Sequence, residues 1–146
     1  MGSHIIQETF DKYPDDTERA IEQSKTEVLQ LLKETVRPEF LNRIDDIIMF
    51  TPLSQANIRS IVRLQLDSVI KMVAKEGIII DATDDAVDYL ARKGFDPQFG
   101  ARPVKRIIQK EVLNKLSKEI LSGSVHKDSV ILIDAFDDQL VFRNNP

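Results

Sequence analysis

The sequence predicts an α+β fold: helices packed on one small sheet that finishes in a C-terminal β-hairpin. Three observations carry this. Apolar stripes at helical spacing run through 54–76 and 103–121. Short β-branched runs stand between and after them: "IIID" at 78–81, then "SVILIDAF" and "QLVFR" near the end. Asp137-Asp138 separates the last two runs, as a two-residue hairpin turn would. Helices with strands gathered toward one end make a helix-on-sheet layer arrangement.

The elements follow in order. "IIQETFDKYPDD" is mixed and ends in turn chemistry at Pro14 and its neighbouring aspartates. Thr17 reads as the N-cap of a helix over 18–36, with Ile21, Val28, Leu29, Leu32 and Val36 along one side. Arg37-Pro38 interrupts it, because a residue before proline disfavours the helical region. Pro38 opens a short helix over "PEFLNRI". "DIIMF" (46–50) has the apolar run of a buried strand, with no partner strand nearby in sequence. Ser54 caps the next helix, whose stripe is Ile58, Ile61, Val62, Leu66, Val69, Met72 and Val73. Gly77 ends it. After "IIID", Thr83 caps a helix that turns Ala86, Val87, Leu90 and Ala91 inward and stops at Gly94. The final helix, 103–121, carries Val104, Ile107, Ile108, Val112, Leu116 and Ile120 and ends before Gly123. Thr51-Pro52-Leu53 divides a first unit, 1–51, from a second, 52–146.

Bulk properties exclude several functions. With 42% hydrophobic and 30% charged residues, the 146-residue chain can bury a core. It has no cysteine, so disulfides and thiolate metal sites are ruled out. No apolar run approaches the ~20 residues of a membrane span, and no signal peptide is visible. The net charge of −4 argues against nucleic-acid binding. The basic side chains of the last helix (Lys105, Arg106, Lys110, Lys115, Lys118) are interrupted by Glu111 and Glu119 and read as a solvated face. There is no G-x-x-x-x-G-K-[ST] loop, so ATP hydrolysis by this chain alone is not expected. His4 and His126 lie far apart and outside any zinc motif. Asp45-Asp46 and Asp137-Asp138 read as a strand entry and a turn rather than as metal ligands.

Two arginines stand out. In "GFDPQFGARPVKR" (94–106), Arg102 precedes Pro103, a residue suited to the first helical position. A helix start attracts anions, and a guanidinium there adds a planar, permanently charged fork for phosphate oxygens. The competing reading pairs Arg102 with Asp96 to hold the loop shut, and composition alone favours that pairing. Arg43, near the end of the Pro38 helix, reads first as an i,i+4 surface partner of Glu39.

"RPEFLNRID", then "FTPL", then "GFDPQFGARPVKR", in this order and spacing, resembles the C-terminal part of an ATPase module of the Clp family of AAA+ unfoldases. The resemblance covers nearly the whole chain. It implies that 1–51 is the end of a large ATPase subdomain and 52–146 a complete small lid subdomain. It implies that Arg102 is the sensor 2 arginine, which with Ala101 beside it meets the terminal phosphates of ATP held with Mg²⁺. It implies that Arg43 is an arginine finger offered in trans to a neighbouring subunit. The family's phosphate loop, Mg²⁺ ligands and sensor asparagine belong upstream of Gly2-Ser3, so the chain resembles an excised fragment. Val36 departs from the phenylalanine usual before R-P-E-F.

Protease-linked members resemble one another in an I-G-F or I-G-L tripeptide, and 2–37 contains none. This points to the ClpB-type disaggregase branch and to the second of its two modules. The ending "LSGSVHKDSVILIDAFDDQLVFRN" is similar to that branch. The parent would be a cytoplasmic homo-hexamer that threads aggregated proteins and works with a DnaK-type chaperone. A protease-coupled unfoldase and an interaction module without nucleotide contact are the alternatives.

Overall fold

The computed structural model describes residues 1–145. The chain divides into two compact units, Met1–Pro52 and the part from Leu53 onward.

The first unit is a helical hairpin with a short tail. Helix α1 (Ser3–Lys12) packs on α2 (Thr17–Thr35). Ala20 and Ser24, both small, are fully buried on α2, and Thr9 is buried on α1. Asp16, one residue before the expected cap, accepts the Arg19 N–H at 3.0 Å and starts α2. Helix α3 (Pro38–Leu41) is a single turn, shorter than "PEFLNRI".

Two sequence expectations need correction here. The "mixed" N-terminal stretch is helical, because Ile6 and Phe10 stand one turn apart with Thr9 between them, and α2 gives that side something to pack on. The "DIIMF" stretch forms no strand. Ile48 and Phe50 are 73% and 85% exposed, while Ile47 and Met49 line an apolar cavity of about 230 Å³ with Ile21, Val28 and Leu29 of α2. The alternation of a strand is present, but a strand exists only through a hydrogen-bonded neighbour, and none is at hand.

The second unit contains helix α4 (Gln55–Ala74), strand β1 (Ile80–Ala82), helix α5 (Asp84–Gly94), helix α6 (Val104–Ile108), a π-helical stretch (Gln109–Asn114), helix α7 (Lys115–Ser122) and strands β2 (Ile131–Phe136) and β3 (Gln139–Asn144). The sheet order is β1-β2-β3: β1 runs parallel to β2, with Ile80 opposite Ile131, and β2 and β3 form an antiparallel hairpin. Asp137 and Asp138 both have positive φ, 50° and 54°, the two-residue turn that matches strand twist.

One core joins these pieces. Ile58, Val62 and Leu66 of α4 and Val87 and Leu90 of α5 meet Ile131 and Ile133 of β2, and the last helix adds Val104, Ile108, Val112 and Leu116. Those four recur every four residues, which in a regular α-helix would drift roughly 40° per step off the core face. The wider π turn at 109–114 takes up that drift and keeps Val112 fully buried. The expectation of one regular helix over 103–121 is corrected accordingly.

Two caps fix how the helices enter this core. Ser54 and Asn57 form a reciprocal capping box: Ser54 Oγ accepts the Asn57 N–H at 3.2 Å and Asn57 Oδ1 accepts the Ser54 N–H at 3.1 Å. Thr83 Oγ1 accepts the Ala86 N–H at 3.2 Å and donates to Asp134 Oδ1 at 2.7 Å. Asp134 also accepts Arg143 of β3 at 2.6 Å, so one carboxylate ties the start of α5 to both strands of the hairpin. Among the described residues no helix is long and apolar enough to cross a membrane.

Candidate functional site

The loop between α5 and α6 is built from the ends of two buried helices. Gly94, the last residue of α5, is buried against Val104, the first of α6. A Cβ at Gly94 would lie 2.9 Å from Val104 Cγ2 and 3.1 Å from its Cα, so only glycine lets the two helices approach this closely. Phe95 and Ala101 pack against the core at the two feet of the loop.

Between those feet the backbone closes on itself. The Asp96 N–H donates to Gly100 O at 2.9 Å, and the Gly100 N–H donates back to Asp96 O at 2.6 Å. Gly100 sits at φ 64°, in the left-handed region that favours glycine. The Asp96 carboxylate accepts the N–H groups of Gln98, at 2.7 Å, and Phe99, at 3.0 Å. This is the local bonding by which Asp shapes turns. Phe99 O then accepts the Arg102 N–H at 3.3 Å, and Ala101 O accepts the Val104 N–H at 3.1 Å.

Arg102 is thus held on both sides by a braced backbone, yet its side chain is exposed and makes no hydrogen bond or ion pair among the described residues. The ion pair with Asp96 that composition favours is absent among the described residues; Asp96 Oδ1 instead accepts the N–H groups of Gln98 and Phe99. Pro103 is also not the first helical residue but the cap before α6, at φ −68° and ψ −17°. A single-loop guanidinium of this kind, fixed at its root and free at its tip, can meet an anionic ligand with little prior rearrangement of backbone.

Arg43 lies in the first unit, in the turn that follows α3. Its backbone N–H donates to Phe40 O at 3.1 Å. Its side chain is exposed and forms no ion pair with Glu39 or with any other described residue. The surface pair favoured by composition does not form here either, since α3 ends at Leu41 and the i,i+4 helical geometry stops short of Arg43.

Residues 53–133 match the C-terminal, D2-small domain of ClpB protein. The chain belongs to the ClpB family. It is the C-terminal part of the second AAA+ module, and the small domain accounts for the α+β unit described above. A "Chaperone protein ClpB" from Bacteroides thetaiotaomicron is 50% identical over 145 residues, 99% of this chain and 17% of the relative. One from Porphyromonas gingivalis is 48% identical over 145 residues, again 99% and 17%. "Chaperone protein ClpB4, mitochondrial" from Arabidopsis thaliana is 42% identical over 147 residues, 98% of this chain and 15% of the relative. The chain therefore spans about a sixth of the length of such ClpB relatives.

The sequence singles out Arg102 and offers Asp96 only as its ion-pair partner, not as the residue that closes the turn. The signal was present: an Asp followed two and three residues on by free N–H donors, then by a glycine, is an Asp-closed turn. α5 itself is steadied near the loop by Lys93 and Arg92, whose side chains reach Asp138 in the hairpin turn at 3.1 and 2.6 Å. Lys93 and, behind it, Arg92 hold the Asp138 carboxyl below its ordinary range. These pairs are exposed and add little stability of their own.

Proposed function

We propose that this chain is the end of an ATP-driven ClpB-type disaggregase subunit, in which the small domain senses nucleotide through Arg102. The observation that carries this is the unpaired, exposed guanidinium on a doubly closed loop within a D2-small domain. The residues fit a phosphate-contacting role: Arg102 would supply the charge, and Ala101, half-buried against the core, would fix where it starts. ATP with Mg²⁺ supplies the phosphoryl group whose transfer drives the machine. This chain's share is to bind and orient, because it has no phosphate loop of its own.

Residues 1–51 are, in this reading, the tail of the large ATPase subdomain. They carry Arg43, offered in trans to the nucleotide of the next subunit in a homo-hexamer. The parent would rescue aggregated proteins together with a DnaK-type chaperone in the cytoplasm. An unpaired, exposed Arg43 supports this placement, since a finger must be free to reach another chain.

The test is Arg102→Ala in the full-length protein. Loss of a charge-assisted contact worth roughly 1.5–3 kcal/mol should lower nucleotide affinity or turnover at the second module at least about tenfold. ATP-dependent reactivation of a heat-aggregated enzyme should fall with it. Unchanged nucleotide binding and turnover would return Arg102 to the role of a surface residue.

A further inference from the structure

We propose that Asp96 is a positioning residue for Arg102, setting the direction of its guanidinium through the closed loop 96–100; this rests on the reading of Arg102 as a nucleotide contact. Among the described residues the Asp96 carboxylate makes its hydrogen bonds within its own loop. It accepts from Gln98 and Phe99, and the carbonyl of Phe99 accepts the Arg102 N–H. The chain of bonds therefore runs from the Asp96 side chain, through the Phe99 peptide, to the root of Arg102. The paired backbone bonds between Asp96 and Gly100 close the same ring from the other side.

The arrangement has a chemical consequence. A carboxylate beside an arginine would ordinarily neutralise it, and a neutralised guanidinium is a poor phosphate ligand. Here Asp96 Oδ1 accepts two peptide N–H donors of the loop, and no ion pair forms between Asp96 and Arg102 among the described residues. Asp96 supplies order without taking the charge. Removing the carboxylate leaves two donors unbonded and lets 97–101 sample other turns, so the Arg102 tip loses its fixed origin.

The experiment is a double-mutant cycle in the full-length protein, read as the affinity of the second module for a fluorescent ADP and as its ATP turnover. Asp96→Ala should weaken binding several-fold but by less than Arg102→Ala does, because it acts only through the contact Arg102 makes. Asp96→Asn keeps the accepting oxygen and should recover most of that loss. In an Arg102→Ala background, Asp96→Ala should cost almost nothing further, because its effect passes through Arg102. Gly100→Ala perturbs the same ring by a different route. Its Cβ would meet only Leu53 Cδ1, at 3.8 Å, so the strain comes from φ alone, and it should act in the same direction. If Asp96→Ala and Gly100→Ala weaken ADP binding equally with or without Arg102, or not at all, Asp96 is only a fold residue and the inference fails while the role of Arg102 stands. If Arg102→Ala leaves both ADP affinity and ATP turnover at the second module unchanged, the reading of Arg102 fails and this inference with it.

Discussion

Gly94 packs directly against Val104, close enough that a Cβ on the glycine would stand 2.9 Å from Val104 Cγ2 and 3.1 Å from the Val104 backbone. The last residue of α5 and the first of α6 thereby share one van der Waals surface, and the arginine-bearing loop must span the gap they leave. Gly94→Ala should force the helices apart at a cost of about 1–3 kcal/mol, the range for overpacking a core. Thermal unfolding of this chain should show a lower midpoint for the α+β unit. An unchanged midpoint would mean that α6 shifts freely and that the close approach is incidental.

The caps and stripes of the second unit were legible because they are local. Ser54 with Asn57 three residues on, and Thr83 before an acidic first turn, act on N–H groups within their own helix. The hairpin was legible for the same reason, since Asp137-Asp138 sets its register without help from afar. "DIIMF" was misread because alternation tells which face a residue takes but not whether a neighbouring strand exists. The π turn was missed although the four-residue spacing from Val104 to Leu116 announces it, since that spacing exceeds the α-helical repeat. At the site, Arg102 was visible as a motif. Its freedom from Asp96 was not, because sequence cannot say which of several donors a carboxylate will take.

Asp134 makes a prediction about acid stability. The Thr83 hydroxyl, then the Ala135 N–H, with Arg143 adding a smaller share, hold its carboxyl below the ordinary range, and partial burial only partly offsets them. A carboxyl with a lowered folded pKa contributes stability that is fully present above its unfolded value, about pH 3.9. That contribution is lost as pH falls through the lower folded value. Asp134→Asn should therefore unfold more easily than the parent at pH 7, and the two should converge as pH drops below about 4. A difference that stayed constant down to the lowest pH would assign the effect to packing instead.

The chain on its own should not hydrolyse ATP and should bind it weakly. It lacks the phosphate loop and Mg²⁺ ligands that supply most phosphate contacts in such sites. Calorimetry is the direct check. Micromolar ATP affinity for this chain alone would show that the small domain carries a nucleotide site of its own.

Arg43 should affect hydrolysis more than binding, because a finger meets charge that develops during phosphoryl transfer. Arg43→Ala in the full-length protein should still bind nucleotide at the second module while hydrolysing it slowly. The best-studied arginine fingers contribute about 10³–10⁵ in rate, an upper range for this case. Loss of binding in parallel with loss of turnover would point to a folding defect in the first unit rather than a missing finger.

In the proposed reading, two arginines of one chain serve two different nucleotides, Arg102 that of its own subunit and Arg43 that of the next. Mixing tests it most directly. Full-length subunits carrying Arg43→Ala are combined with subunits carrying Arg102→Ala, in a background whose first-module ATP site is disabled, under conditions of subunit exchange. Each homo-oligomer alone should hydrolyse ATP poorly. In mixed rings, an Arg43→Ala subunit keeps its own Arg102 and receives an intact Arg43 from its Arg102→Ala neighbour. Hydrolysis in the mixture should rise above the mean of the two separate proteins. A mixture that stays at that mean despite demonstrated exchange would contradict it, because the two arginines would then not be divided between neighbouring sites.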